Sequence, residues 1–132
     1  MGSLLLVTGA VLAVLAAAVH VYIFVLESVL WTHPSTWRVF GLRSQADAET
    51  TRPLAFNQGF YNLFLALGVA VGIALLAVNM SAGLALLLTS TLSMVLAALV
   101  LVTSNRRMLR AAAIQGLLPL LAALSIALSF TV

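Results

Sequence analysis

The sequence predicts an all-α integral membrane protein, a four-helix transmembrane bundle with both termini outside (N-out, C-out). The first two observations are compositional: 64% of the 132 residues are hydrophobic and only 7% are charged. A soluble domain is about half apolar and about a quarter charged. This composition excludes a soluble enzyme, a disordered chain and a nucleic-acid-binding domain. Because the chain has no cysteine, a disulfide framework and a thiolate metal site are excluded as well.

The third observation is a set of four apolar stretches, each long enough to cross the hydrocarbon core as a helix of about 20 residues. The predicted spans are residues 3–30, 53–78, 81–104 and 108–131. Four such helices predict a single transmembrane domain over residues 1–132. The first span lacks a basic start and its apolar run is too long for a signal peptide, so we expect the protein to retain it.

The connections between the predicted spans differ in length. The first loop, residues 31–52, is long and contains two of the three acids and half of the arginines. Pro53 suits the first turn of the second helix, where its missing N–H would have no partner in any case. The second loop consists of Asn79, Met80 and Ser81, which predicts a tight antiparallel hairpin of the second and third helices.

The arginines predict the orientation of the bundle. Three lie in the first loop and three at the third: Arg38, Arg43, Arg52, Arg106, Arg107 and Arg110. The second loop and both termini carry no basic side chain. Because basic residues concentrate in cytoplasmic loops, we expect loops one and three in the cytoplasm. We also expect a multi-pass protein of the cytoplasmic (plasma) membrane, the cell inner membrane.

The helical period of 3.6 residues places small and polar side chains on defined faces of the first two spans. One face of the first helix carries Gly9, Ala13, Ala16, His20, Phe24, Glu27 and Trp31. A face of the second helix carries Asn57, Tyr61, Phe64, Gly68, Gly72 and Asn79. Because the two helices are antiparallel, we expect the small end of the first to pack on Gly68 and Gly72. Their polar ends then meet near the cytoplasmic side.

Further polar side chains extend this predicted cluster. Gln58 and Asn62 flank the polar face of the second helix. In the fourth helix, Pro119 removes the hydrogen bond that the Gln115 carbonyl would accept, so Gln115 needs partners for its side chain and its backbone. Hydrogen bonds between helices in a membrane average under about 1 kcal/mol each, and one or two amides suffice to fix the register of two helices. The larger number of polar side chains in this cluster predicts a cavity that a polar molecule enters. A fully internal hydrogen-bond network is the alternative.

Several of these residues occur in motifs that resemble a known family. The motifs are His20-x-Tyr22-Ile23-Phe24-x-Leu26-Glu27, Trp31-Thr32, Val39-Phe40-Gly41-Leu42, Asn57-Gln58-Gly59-x-Tyr61-Asn62-x-Phe64-Leu65-Ala66 and Gln115-Gly116-Leu117. They resemble the small four-helix membrane proteins catalogued as the domain-of-unknown-function 1304 family. The resemblance covers nearly the whole chain and implies four spans, but it implies no particular activity.

Glu27 is the only acid within a predicted span, and ionisable groups inside a membrane are candidates for function because they are costly there. It is either a structural cap or ion-pair partner near the interface, or a ligand or proton site. His20 is either a hydrogen-bonded contact between helices or a part of that site. Two histidines and one glutamate do not predict a metal site, and no catalytic residue can be assigned.

The function that these patterns predict is a cytoplasm-facing polar site in the membrane for a small polar or amphiphilic molecule. The predicted ligand-binding residues are His20, Glu27, Asn57, Gln58, Tyr61, Asn62 and Gln115. Enzymatic activity, cofactor and ligand identity do not follow from the sequence. One alternative is a proton-coupled small-molecule transporter resembling the small multidrug-resistance proteins, which also have four short spans and a first-helix glutamate. The other is an accessory or assembly subunit of a membrane complex, and helix packing between copies would also allow a homo-oligomer.

Overall fold

The computed structural model describes residues 1–131, which contain helices and turns and no strand. Helix α1 is Gly2–Phe24 and continues as a π-helical turn over Val25–Val29; α2 is Pro34–Trp37, α3 is Gln45–Leu76 and α4 is Met80–Ser104. A 3-10 turn at Arg106–Met108 leads into α5, Leu109–Leu128. The predicted all-α fold class is confirmed.

Four helical segments are long and apolar enough to cross a membrane. Their most apolar 18-residue windows have mean hydropathies between 2.0 and 2.5, yet only 22% to 28% of the residues in those windows are buried inside the protein. Apolar surface on this scale is not found on soluble monomers, so it is suited to lipid. The protein is therefore a multi-pass membrane protein with a four-helix bundle.

The four long helices form a closed ring in which each packs mainly against two neighbours, and α1 and α4 make a small contact across it. α1 packs against α3 and α5, and α4 packs against the same two helices. The centre of the bundle is filled by small and medium-sized apolar side chains: Ala13, Ala16, Val69, Leu87, Met94, Ala122 and Ile126. The alanines allow the helices to approach closely, which is how helices in a membrane gain van der Waals contact.

The predicted inner face of α1 is confirmed. The buried residues of this helix are Gly9, Ala13, Ala16 and His20, followed by Glu27 in the π turn and Trp31 beyond it. The small end of the face packs on α5, because a Cβ added to Gly9 would lie 2.6 Å from Cγ1 of Ile126. The glycines of the second span were predicted to receive this small end, but their nearest neighbours are Ser90 and Leu87 of the third span.

Helix α3 begins at Gln45, well before Pro53, so residues 45–52 of the predicted first loop are helical. Ser44 caps the first turn by accepting a hydrogen bond from the backbone N–H of Asp47 at 3.1 Å. Pro53 has no N–H and therefore removes one hydrogen bond from the helix. The helix continues through it because the turns before and after Pro53 keep their own hydrogen bonds. The sequence interpretation of Pro53 as the start of the helix overlooked this capped polar extension.

The length of α3 shows which part of it lies outside the hydrocarbon core. Its 32 residues span about 48 Å at about 1.5 Å per residue, against about 30 Å of hydrocarbon. At the other end, the predicted tight hairpin is confirmed, since α4 begins at Met80 and Asn79 accepts a hydrogen bond from the N–H of Ala82 at 3.1 Å. The excess length therefore lies at the N-terminal end of α3.

The predicted inward face of the second span is right at its glycine end, where Gly72 is buried, and wrong at its polar end. The buried residues in the apolar part of α3 are Ala55, Gly59, Asn62, Ala66, Val69 and Gly72. Asn57, Tyr61 and Phe64, which were expected on that face, are exposed. The helix is rotated relative to the prediction because its smallest side chains, and not its largest set of polar ones, allow the close approach of α1.

The two glycines of the small-xxx-small motif contact α4. A Cβ added to Gly68 would meet the hydroxyl of Ser90, and one added to Gly72 would lie 2.9 Å from Cγ of Leu87. Gly83 on α4 is equally close to the backbone of α3, since its Cβ would lie 2.9 Å from the Gly72 carbonyl oxygen. The motif therefore packs the α3–α4 hairpin and not the α1–α3 contact.

Candidate functional site

The first span changes from an α-helix to a π-helix near its C-terminal end. Val25–Val29 forms a π-helical turn, in which the N–H of Leu30 bonds to the Val25 carbonyl at 3.0 Å. Such turns are rare, and they occur frequently at functional sites. Glu27 lies in the middle of this turn, where its side chain is only 9% exposed. The only acid predicted within a span is thus a buried residue on the face that packs against α3.

Glu27 and Asn62 form a hydrogen-bonded pair between the π turn and α3. Nδ2 of Asn62 donates to Oε2 of Glu27 at 2.8 Å and to the Gln58 carbonyl at 3.2 Å. Asn62 is also buried, at 7% exposed. Within residues 1–131, no arginine nitrogen forms an ion pair with Glu27. The structure therefore does not support the ion-pair alternative for Glu27, and the partner of its carboxyl group is a neutral amide.

A glycine allows this pair to form. A Cβ added to Gly59 would meet the hydroxyl of Ser28, and it would lie 3.1 Å from both the backbone nitrogen of Ser28 and Cβ of Glu27. The Ser28 hydroxyl donates to the Phe56 carbonyl at 2.9 Å, which ties the π turn to α3 a second time. Sequence reasoning missed Ser28 and Gly59. The sequence feature that could have indicated Gly59 is its i, i+3 spacing from Asn62, because this spacing places both residues on one face of a helix.

Two oxygens of the pair accept no hydrogen bond from the described residues. Within residues 1–131, neither Oε1 of Glu27 nor Oδ1 of Asn62 accepts a hydrogen bond. Every fully enclosed polar side-chain atom in the same range has a partner, so these two oxygens retain some access to the surroundings. A carboxylate oxygen and an amide oxygen are both strong acceptors. The arrangement can therefore bind a group that brings N–H or O–H donors.

Aromatic side chains also pack between the first span and α3. The rings of Phe24 and Phe60 pack edge to face with centroids 5.2 Å apart, and Phe60 in turn contacts Phe56 at 5.0 Å. Just after the π turn, Nε1 of Trp31 donates to the Ala48 carbonyl at 3.1 Å. This hydrogen bond fixes the end of the first span to the polar extension of α3. Edge-to-face pairs stabilise by about 0.5–1.5 kcal/mol beyond their area, so this end of the α1–α3 contact is firmly held.

His20 lies on the same face of α1 but is not joined to the pair. It is 1% exposed, and its Nδ1 lies 2.9 Å from the Ala16 carbonyl oxygen. Because a carbonyl only accepts, Nδ1 carries a proton in this contact. No hydrogen bond links His20 to Glu27 or to Asn62 in the described part of the chain. The imidazole is thus held by its own helix.

The remaining predicted site residues lie elsewhere. Asn57, Gln58 and Tyr61 are exposed on α3, with 55% of Tyr61 accessible, and Gln115 is half-buried on α5. The structure therefore brings the side chains of Glu27 and Asn62 together, and Gln58 meets them only through its backbone carbonyl, which accepts from Asn62.

The sequence model of one protein family, described as "protein of unknown function (DUF1304)", matches residues 14–127. The matched range contains the π turn, the whole of α3 and the loop between α4 and α5. Comparisons with curated proteins and with solved structures give no match. Because the family match covers most of the 132 residues and agrees with the motifs in the sequence, this chain belongs to the DUF1304 family.

Proposed function

We propose that the protein binds a small amphiphilic molecule at the α1–α3 contact, with Glu27 and Asn62 as the polar anchors. The observation that carries the proposal is a buried glutamate between two spans with one neutral hydrogen-bond partner. Replacing a buried charged contact by well-packed apolar residues is often neutral or stabilising. A carboxyl group at this position is therefore a poor choice for holding two helices together, whereas it is well suited to a ligand.

The depth of the pair supports this proposal. Asn62 precedes the end of α3 at Leu76 by fourteen residues, which is about 21 Å along the helix. Because Leu76 adjoins the tight turn at one membrane surface, Asn62 lies within the roughly 30 Å of hydrocarbon. Ionisable groups at such depth face a bundle interior or a cavity and mark ligand or ion sites. The orientation expected from the arginines would place the pair in the cytoplasmic half of the membrane.

The two oxygens that accept no hydrogen bond indicate the chemistry of the ligand. Oε1 of Glu27 and Oδ1 of Asn62 call for donors, and a protonated amine supplies several donors together with a charge that compensates the carboxylate. The neighbouring rings of Phe24 and Phe60 would contact an apolar part of the same molecule. A small amphiphilic amine is therefore the ligand class that we propose. The predicted roles of His20, Asn57, Gln58, Tyr61 and Gln115 in ligand binding remain predictions.

The proposal is tested by comparing the small molecules that co-purify with three forms of the protein. Glu27→Gln keeps the shape of the side chain and its ability to hydrogen-bond, but it removes the negative charge. Glu49→Gln makes the same chemical change at an exposed glutamate in the first turns of α3 and serves as the control. Each form is purified in a mild detergent, extracted and analysed by mass spectrometry.

We expect a compound with N–H donors in the wild-type and Glu49→Gln extracts and its loss from the Glu27→Gln extract. Melting of each purified form shows whether the fold is kept. If Glu27→Gln melts lower but retains the same compound at the same occupancy, Glu27 is structural and the proposed function is wrong. If the wild-type extract contains no such compound, the proposal is contradicted as well.

A further inference from the structure

A groove runs between α4 and α5, away from the α1–α3 contact. At the end near the α4–α5 loop it opens into a cavity of about 360 Å³, which is lined by Val102, Thr103, Arg106 and Leu109. A second cavity of about 250 Å³ shares Val102 and Leu109 with the first and continues along the two helices as far as Leu120. The two cavities are therefore adjacent along one groove, which has an arginine at its mouth.

The groove is narrow at its floor and apolar along its sides. Its floor includes Ala98 and Ala112, which are both buried at 6% exposed. At Gly116 the two helices approach so closely that an added Cβ would lie 2.7 Å from Cβ of Ala98. The rim is formed by leucines such as Leu99 and Leu117, which are more than half exposed. Small residues at the floor and large ones at the rim leave a channel that fits a hydrocarbon chain.

The length of the groove agrees with one leaflet of a bilayer. From Leu109 to Leu120 the α5 wall extends eleven residues, or about 16 Å at about 1.5 Å per residue. Half of a hydrocarbon core of about 30 Å is about 15 Å. An acyl chain that begins at the loop end of the groove would therefore be covered along its full depth in that leaflet.

The mouth of the groove has a strong positive charge. Arg106 lines the cavity there, and Arg107 and Arg110 are the next two basic residues along the chain; all three are exposed. No acid follows Glu49 in the sequence, so α4, α5 and their loop contain no carboxylate side chain. A guanidinium group binds a phosphate oxygen pair through two parallel hydrogen bonds.

We propose that the groove between α4 and α5 binds one anionic phospholipid, with its phosphate at Arg106 and an acyl chain lying over Ala98 and Ala112. The charge at the mouth selects an anionic headgroup, and the apolar channel selects a chain instead of a free phosphate. This site is separate from the Glu27–Asn62 pair, and its test does not depend on the ligand proposed there.

The first experiment is a lipid titration of delipidated protein in a neutral detergent, measured by native mass spectrometry. Phosphatidylglycerol is compared with phosphatidylcholine of the same chains, and inorganic phosphate is added in a third series. We expect a single phosphatidylglycerol per chain, with weaker binding of phosphatidylcholine and no effect of phosphate. Equal binding of the two lipids, or competition by phosphate alone, would overturn the proposal.

Two matched pairs of variants locate the site. Arg106→Gln removes the charge at the mouth, and Arg43→Gln makes the same change in the first loop, outside both cavities. One basic residue near anionic lipid contributes about 1 kcal/mol, so we expect Arg106→Gln to weaken phosphatidylglycerol binding about fivefold and Arg43→Gln to leave it unchanged. Equal effects of the two variants would mean that net charge alone attracts the lipid, and the proposed site would be rejected.

The second pair fills the groove. Ala113→Phe places a ring in the channel, whereas Ala127→Phe places one on an exposed position of α5 outside it. We expect Ala113→Phe to lose the single bound lipid and Ala127→Phe to keep it. Retention of the lipid by folded Ala113→Phe would contradict the proposal. It would also be contradicted if the wild-type protein is a dimer that dissociates in Ala113→Phe while lipid binding stays unchanged, because a second copy of the chain would then cover the groove. If Ala113→Phe does not fold, the arginine pair and the lipid comparison decide.

Discussion

Replacing Gly59 by alanine perturbs the Glu27–Asn62 pair without touching either residue. The added methyl group would meet the Ser28 hydroxyl and would lie 3.1 Å from the backbone nitrogen of Ser28. The hydroxyl can rotate, but the backbone of the π turn can move only by separating from α3. We therefore expect the change to lengthen or break the 2.8 Å hydrogen bond between Asn62 and Glu27.

The magnitude follows from two opposing contributions. Forcing an extra methyl group into a packed contact costs about 1–3 kcal/mol, whereas alanine favours a helix over glycine by about 0.8–1.0 kcal/mol. The expected net loss in the free energy of unfolding is thus up to about 2 kcal/mol. Gly68→Ala is the matched control, because its closest neighbour is the movable Ser90 hydroxyl and the next atom, Cβ of Ser90, is 3.5 Å away. That variant should be neutral or slightly stabilised.

Both variants can be measured by reversible unfolding in mixed micelles of a mild and a denaturing detergent, followed by circular dichroism. The difference between the two, and not the absolute value of either, tests the geometry, because both gain the same helix propensity. If Gly59→Ala is as stable as Gly68→Ala, then α1 and α3 do not approach each other as closely as described, and the argument for a tight π-turn contact is refuted.

Three further predictions concern the pair, the orientation and the polar extension of α3. Asn62→Leu should lower the free energy of unfolding by about 1–3 kcal/mol, because Oε2 of Glu27 loses its donor in a buried position; unchanged stability would show that the hydrogen bond is not made. Single cysteines at exposed positions, Ala46→Cys and Ser81→Cys, should be labelled by an impermeant maleimide from opposite sides of the membrane, and labelling from one side would contradict the topology. Trp31→Phe removes the donor to the Ala48 carbonyl, at a cost of about 1 kcal/mol, and should speed amide hydrogen exchange in the first turns of α3; unaltered exchange would contradict that anchor.

The fold class was predictable because the hydrophobic stretches are long and nearly uninterrupted. The inner face of α1 was predictable for a further reason: its small residues, Gly9, Ala13 and Ala16, lie on the same stripe as the polar His20 and Glu27. Both criteria, small size and polarity, indicated one face. Whenever close packing and polar contacts coincide on a helix, its periodicity is sufficient to orient it.

In α3 the two criteria conflict. The polar residues Asn57 and Tyr61 define one face, whereas the small residues Ala55, Gly59 and Ala66 define another. The close approach of α1 requires the small face, because a large side chain there would separate the helices. By the same rise of about 1.5 Å per residue, Asn57 and Tyr61 lie about 28 and about 22 Å from Leu76. They are therefore in the last third of a hydrocarbon core of about 30 Å, where polar and aromatic side chains can reach the interface.

From the sequence, Glu27 could be expected near the polar end of the second span, but an ion pair remained an alternative and Asn62 could not be chosen as its partner. That choice depends on the rotation of α3 and on the π turn at Val25–Val29, which shifts the register of Glu27 relative to a regular helix. No local pattern of residues in the first span announces such a turn. The contact with Ser28 and Gly59 forms only when both features are present, so it had to come from the structure.

An experimental density map of the protein, purified in lipid nanodiscs without delipidation, tests the central claim most directly. The claim is that Glu27 and Asn62 bind a small molecule between the first span and α3. We predict non-protein density within hydrogen-bonding distance of Oε1 of Glu27 and Oδ1 of Asn62, and its absence from a map of Glu27→Gln prepared in the same way. A closed contact in the wild-type protein, with the Asn62–Glu27 hydrogen bond intact and no density beside it, would contradict the claim.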